Sequence, residues 1–399
     1  MSDTTNPPEL RQSASQSENV DPIWWQITRA ILRSIWILVD NAIGIPVYLF
    51  TMLFLYPLRY IWPQFYWDMD AFFFRELMRN VGYWMWSANY KIVEYGDLPF
   101  RYQNDRCLVV INHQSTADVP TLCAAICKKG VGSGKMMWIL DHGFRFSNFG
   151  LVSWMHGDFF IQQGRETRHL QGPKLAAHMR RKFWSRERRW CMVFPEGGFL
   201  YKRRETSQKY ARENGYPVLK HVTLPRVGAV KAMLETANPI SRSESPDLQS
   251  DGKSAVDGGQ DMDETQPAPG PGFRYLVDVT LAYPNGKPLD ILQMVLANRP
   301  ACEVAVHYRL IKINEVPRDD EEALTKYMYR LWEEKEKLLD HFYKEGEFPG
   351  APRDEANVVD YHLAGLILHN GLFIALAFMY YQMIRTLVSH GMSAANTFF

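Results

Sequence analysis

The sequence is poor in the residues that staple small secreted domains. Its five cysteines, Cys107, Cys123, Cys127, Cys191 and Cys302, are odd in number and widely spread, which excludes a disulfide framework and fits a reducing compartment. Cys123 and Cys127 could share a helix face, but no His or further Cys stands at zinc-ligand spacing, so small buried apolar residues and no metal are expected. Charge of one sign is missing too: Lys and Arg number 45 against 44 Asp and Glu. No overall field favours nucleic acid, and electrostatic recognition has to be local. There is no internal repeat, no Walker loop, no Gly-x-Gly-x-x-Gly and no Gly-x-Ser-x-Gly, which removes nucleotide hydrolysis and esterase chemistry as easy readings. The polar tail over residues 1–22 lacks a basic segment leading into a short apolar core, so a cleaved signal peptide is not expected.

Aromatic residues, by contrast, make up 14% of the chain, and many cluster between Trp24 and Trp86. Residues 23–90 therefore suggest a membrane-embedded segment, since aromatic rings concentrate where one end is apolar and the other wet. No side chain from Asn41 to Leu58 is charged, and a helix of that length at about 1.5 Å per residue approaches the roughly 30 Å of bilayer hydrocarbon. Gly44 and Pro46 interrupt it, and Arg29, Arg33 and Asp40 precede it, so a single crossing and a kinked or re-entrant hairpin both stand. Trp24, Trp25, Trp36, Tyr60, Trp62, Tyr66 and Trp67 flank it as an aromatic belt would. A second apolar run, residues 361–384, is long enough for a transmembrane helix.

Between these regions short β-rich runs alternate with helical patterns: Cys107–Ile111, Met136–Leu140, Asp158–Gln162, Trp190–Phe194 and Val218–Leu224, then Tyr275–Ala282 and Val304–Ile313, with a long amphipathic helix over Asp319–Tyr343. Strands spaced by helices predict an α/β domain over residues 91–345. Within it, residues 238–272 turn to Ser, Asp, Gly, Gln and Pro, the composition of a disordered insertion.

A polar cluster, Asn112-His113-Gln114-Ser115-Thr116-Ala117-Asp118, follows the apolar run Cys-Leu-Val-Val-Ile. Five helical residues advance about 500°, so His113 and Asp118 meet only if His113 precedes the helix. With Ser115 as N-cap, Asp118 falls in the first helical turn, where its carboxylate can fix the imidazole tautomer and leave the other nitrogen to take a proton from an alcohol. Alternatively, Asp118 only completes a capping box for Ser115, as residues of such turns commonly do.

The same segment resembles the first signature block of the glycerolipid acyltransferases: His, any four residues, Asp. Three further blocks follow in the family's order, Gly157-Asp158-Phe159-Phe160-Ile161, Phe194-Pro195-Glu196-Gly197-Gly198 and Val222-Thr223-Leu224-Pro225-Arg226. The likeness is greatest to the acyl-CoA:lysophosphatidylglycerol acyltransferase group. It implies a mixed sheet flanked by helices with membrane segments at both ends, and catalytic roles for His113 and Asp118. By the same resemblance, acyl transfers directly from acyl-CoA, as co-substrate and without a further cofactor, to a lysophospholipid hydroxyl. Glu196 would help hold the acceptor, and the glycines that follow it, Gly197 first, permit close backbone approach. The family usually carries Arg shortly after Phe-Ile to bind phosphate, whereas Gln162 and Gln163 stand here, so Arg165 is the nearest substitute.

Two basic runs remain, Arg180 to Arg189 and Lys202 to Arg212. Either could be a solvated face. The second, with Lys202 and Arg203, follows the Phe-Pro-Glu-Gly block directly and is read as an anion handle for lipid headgroups or coenzyme A phosphates. The expected setting is the endoplasmic reticulum membrane with the site facing the cytosol. The competing function is a non-catalytic membrane lipid-binding protein that retains the fold.

Overall fold

Cys-Leu-Val-Val-Ile forms a strand buried at every position, as a strand covered on both faces must be. The structure, a computed structural model, describes residues 22–164, 166–237 and 272–398; the polar tail, Arg165 and nearly all of the expected insertion lie outside the described residues. Eight strands build one sheet: β1 (Tyr90–Gly96), β2 (Cys107–Ile111), β3 (Met136–Asp141), β4 (Phe159–Ile161), β5 (Trp190–Val193), β6 (Tyr275–Ala282), β7 (Cys302–Lys312) and β8 (Asn357–Val358). Their order is β4-β3-β5-β2-β6-β7-β1-β8. The run from β4 to β6 is parallel, β7 is antiparallel to β6 and parallel to β1, and β8 is antiparallel to β1. This is the expected mixed sheet.

Helices cover both faces. One apolar layer joins the sheet to α1 (Ile23–Phe54), α3 (Pro63–Ser87), which follows the single turn α2 (Leu58–Ile61), α4 (Asp118–Ile126), α5 (Asn148–His156) and α9 (Ile291–Leu296). The other joins it to α6 (Arg168–His178), α7 (Leu200–Glu213), α8 (Val227–Glu235) and α10 (Glu321–Glu345). The last helix, α11 (Leu363–Phe398), lies against α1 and α3.

Most expected strands form within two residues of their sequence limits. Val218–Leu224 does not. Its main-chain donors go to side chains instead of a neighbouring strand: Lys220, His221 and Val222 donate to the Glu336 carboxylate at 2.7, 2.8 and 3.2 Å, Thr223 to Glu196 and Leu224 to Ser207 Oγ. The segment read as membrane-embedded is also divided. α3 is buried along much of its length against the domain, and β1 pairs in the sheet. Tyr66 is buried and Trp36 and Trp67 half-buried, so the belt reading suits Trp24, Trp25, Tyr60 and Trp62, which are exposed.

α1 and the Leu363–His390 part of α11 are long and apolar enough to cross a membrane. α1 runs unbroken through Gly44 and Pro46. Gly44 serves packing: an added Cβ would sit 3.0 Å from Leu77 of α3 and 3.9 Å from Phe373 of α11. Arg33 is no lipid-facing charge, because its guanidinium donates to Ser87 Oγ, the Trp84 carbonyl and the Met294 carbonyl.

A buried polar knot ties α1 and α3 to the sheet. Asp70 on α3 accepts from Tyr48 of α1 at 2.7 Å, and its other oxygen meets His156 Nδ1 and Arg188 Nη2, each at 2.9 Å. Burial pushes the Asp70 carboxyl up, but His156 and Arg188 outweigh it and hold it below the usual range. The first basic run thus turns inward at Arg186 and Arg188. Removing one partner of a buried ion pair strands the other, at a cost of about 3–5 kcal/mol. Asp70→Ala is therefore expected to lower the melting temperature in detergent by many degrees, while Lys209→Ala, on an exposed pair, leaves it within a degree or so.

Candidate active site

The site begins where β2 stops. Asn112 continues the pairing with β6 through its side chain, donating to the Leu281 carbonyl at 3.0 Å and accepting from the Leu281 amide at 2.7 Å. The next residue is freed into the turn. α4 starts at Asp118, with Ala117 in the capping position and no side-chain cap, so Ser115 is not the N-cap. Ser115 Oγ instead accepts from the Ala117 amide at 3.1 Å and donates to the Leu289 carbonyl.

Asp118 gathers the turn around itself. Its Oδ2 meets His113 Nδ1 at 2.8 Å and accepts from the amides of Gln114 and Ser115 at 2.6 and 2.9 Å, while Oδ1 accepts from Tyr283 at 2.7 Å. Local capping and the His–Asp pair coexist on one carboxylate. The imidazole stacks on Phe194, ring centres 4.1 Å apart, and leans on Phe199 at 4.5 Å. With Nδ1 engaged and the side chain 15% exposed, Nε2 is the nitrogen left for an incoming hydroxyl.

Glu196 lies beneath this turn. Oε1 accepts from the His113 amide at 3.1 Å and Trp332 Nε1 at 3.2 Å; Oε2 accepts from the amide and hydroxyl of Thr223 at 3.0 and 2.8 Å. It is 1% exposed. Burial pushes its carboxyl up to about 7, against hydrogen bonds led by Thr223 that favour the anion. Each Glu196 oxygen thus takes two donors from within the protein, and the carboxylate braces the turn that carries His113.

Above it, Gly197 has φ +68°, a conformation that favours glycine. An added Cβ there would lie 3.2–3.3 Å from the Arg226 side chain, and one on Gly198 3.2–3.3 Å from Arg203. Two guanidinium-bearing side chains therefore lie over consecutive glycines, a setting suited to an anion. Lys202 is exposed one residue earlier on α7, its Nζ 5.6 Å from the Phe199 ring centre. Where the family has its arginine, Gln163 bridges Asp141 and the Gly197 carbonyl, 3.0 Å to each, and Gln162 is tied by its amide to Gln171. Arg165 lies outside the described residues; the Arg226 guanidinium reaches Gln163 Oε1 at 3.5 Å.

Sequence reasoning did not single out Arg226, which lies against Gly197 and Gln163, although it quoted the block containing it. It also missed Tyr283 and Trp332. These two reach the site from elements far away in sequence and carry no local signature. All described cysteines are free, and among the described residues no group of three or more His, Cys, Asp and Glu could hold a metal.

Residues 93–241 match the family described as Acyltransferase, and residues 295–365 that described as Acyltransferase C-terminus. The chain is 38% identical over 325 residues to acyl-CoA:lysophosphatidylglycerol acyltransferase 1 of Homo sapiens, covering 82% of this chain and 84% of that protein. It is 27% identical over 262 residues to the putative 1-acyl-sn-glycerol-3-phosphate acyltransferase acl-12 of Caenorhabditis elegans, 65% and 62% of the two chains. Among solved structures, the crystal structure of the 1-acyl-sn-glycerophosphate (LPA) acyltransferase PlsC from Thermotoga maritima aligns over 79% of this chain and 98% of that one at 11% identity and a TM-score of 0.41. The chain belongs to the glycerolipid acyltransferase family and is an acyltransferase.

Proposed function

We propose that the protein transfers a fatty acyl group from acyl-CoA to a free hydroxyl of a lysophospholipid, lysophosphatidylglycerol or a related acceptor such as lysophosphatidylethanolamine. The observation that carries this reading is His113 held through Nδ1 by Asp118 at 2.8 Å, with its side chain 15% exposed. Nε2 takes the hydroxyl proton as that oxygen attacks the thioester carbonyl. The C–S bond then breaks, and the imidazolium returns the proton to the departing thiolate. Asp118 fixes the tautomer and stabilises the imidazolium. A thiolate leaves readily, so the reaction needs no metal or cofactor beyond the two substrates. Arg226, Arg203 and Lys202 bear on the phosphates, with Gly197 giving the close approach. The endoplasmic reticulum membrane, with the site toward the cytosol, is the proposed setting, where acyl-CoA and lysolipid meet.

The test is purified protein against a panel of lysophospholipids and labelled acyl-CoA donors. Transfer to lysophosphatidylglycerol that stops when acyl-CoA is omitted supports the reading; transfer that persists without it points to exchange between lipids, and binding without turnover to the lipid-binding alternative. Asp118→Asn is expected to lower kcat about 10²- to 10⁴-fold, with KM for acyl-CoA little changed.

Glu196 gives a pH signature. Its folded pKa of about 7 lies above the ordinary value of 4.5, so the stability it contributes is present below pH about 4.5 and is lost as pH rises through about 7, roughly 3 kcal/mol in all. Wild-type melting temperature is expected to fall across that window relative to Glu196→Gln, in which this slope vanishes. The same variant sets an amide NH₂ against two of the donors that Glu196 accepts, the His113 amide among the four, and its transfer rate is expected to drop.

A further inference from the structure

A cavity of about 560 Å³ lies between α7, the segment that leads on to α8, and α10. Arg204 and Gln208 of α7, Lys220 and His221 of the segment, Asn285 of the turn after β6 and Tyr343 of α10 line it, and Gly286 completes the wall. No aliphatic side chain is among them, so the cavity offers no bed for an acyl tail.

The walls are fixed from two sides. Tyr343 Oη accepts from Gln114 Nε2 at 3.0 Å, and Gln114, the residue after His113, is buried and also donates to the Leu281 carbonyl. The cavity is thereby tied to the turn that carries His113. The His221 ring lies edge-on to Tyr343, ring centres 4.9 Å apart. Lys220 and His221 are pinned through their amides, which donate to the Glu336 carboxylate at 2.7 and 2.8 Å.

The charge in this cavity is unbalanced. Among the described residues the Arg204 guanidinium, the Lys220 ammonium and the Asn285 carboxamide have no hydrogen-bond or ion-pair partner. The neighbouring carboxylates of α10 are engaged elsewhere: Glu336 holds the amides, and Asp340 pairs with Lys344 at 2.6 Å, with His221 Nε2 3.6 Å away. Successive residues of a helix point about 100° apart. Arg203 accordingly lies over Gly198, whereas Arg204 faces the cavity. α7 thus serves two anion sites, which is what a transfer between two phosphate-bearing molecules needs.

We propose that the cavity takes the nucleotide end of acyl-CoA, with Arg204 and Lys220 on its phosphates and the His221–Tyr343 pair against its adenine. A lysophospholipid carries its phosphate close to an acyl chain, for which no apolar lining exists here. The nucleotide end of the donor is polar throughout, bears phosphate at its 3′ and 5′ positions and ends in one flat ring, so two cations and an aromatic wall match it. The volume falls in the range of small-molecule pockets, roughly 300–1,000 Å³. The assignment rests on acyl-CoA being the donor.

The test is binding of free coenzyme A, which has no acyl group to transfer, to the purified full chain by titration calorimetry. Arg204→Ala with Lys220→Ala, both exposed, is expected to melt as the wild type does and to raise Kd about tenfold for each cation removed. Lys209→Ala with Lys326→Ala, which removes two cations from exposed pairs, should leave Kd within about twofold. Equal binding by the wild type and the cavity variant overturns the cavity assignment alone, as does an equal loss in the control. A wild type that binds no coenzyme A overturns the donor reading and the assignment with it.

Kinetics separate the two substrates. The cavity variant is expected to raise KM for acyl-CoA by the same factor, with KM for lysophosphatidylglycerol unchanged and with no effect on transfer from an acyl-pantetheine donor, which lacks the nucleotide. A raised KM for the acceptor with that for acyl-CoA unchanged would give the cavity to a lipid headgroup and overturn the proposal.

Discussion

One buried carboxylate is the point through which the site is assembled. Glu196 takes four donors from three separate parts of the chain: the His113 amide at the end of β2, both donors of Thr223, and the Trp332 indole on α10. A carboxyl group in a low-dielectric interior is tolerated only when its oxygens are so satisfied, and the same bonds fix the groups that supply them. His113 is thereby held from its main chain by Glu196 and from its ring by Asp118. The imidazole has little freedom left, which is what the proposed proton transfer requires.

The knot at Asp70 and the contacts of Arg33 place this assembly relative to α1. Asp70 links Tyr48 of α1 to Arg188 at the entry to β5, and Arg33 links α1 to α9. The charges of α1 that argued against a membrane span are, at Arg33, the means by which the helix grips the catalytic domain. The guanidinium donates to two carbonyls and a hydroxyl inside the protein, so charge in the sequence did not mean a break in the helix.

What could be read from the sequence was what neighbours in sequence decide. The apolar run ending at Ile111 showed the central strand, and helix geometry alone required His113 to precede α4. The helix begins three residues later than Ser115 because Asp118 itself receives the turn's amides. Val218–Leu224 has the composition of a strand, but Glu336, more than a hundred residues on, takes three of its amides. Such long-range acceptors leave no local trace. The brace at Glu196 was hidden for the same reason: its donors come from segments that only the fold brings together.

The central claim is that His113 removes the acceptor's proton. The direct measurement is labelled acyl transfer to lysophosphatidylglycerol by His113→Ala, inserted in membranes and shown to melt as the wild type does. The expected result is a fall of about 10²- to 10⁴-fold in kcat with acyl-CoA still bound; transfer at the wild-type rate would contradict the account.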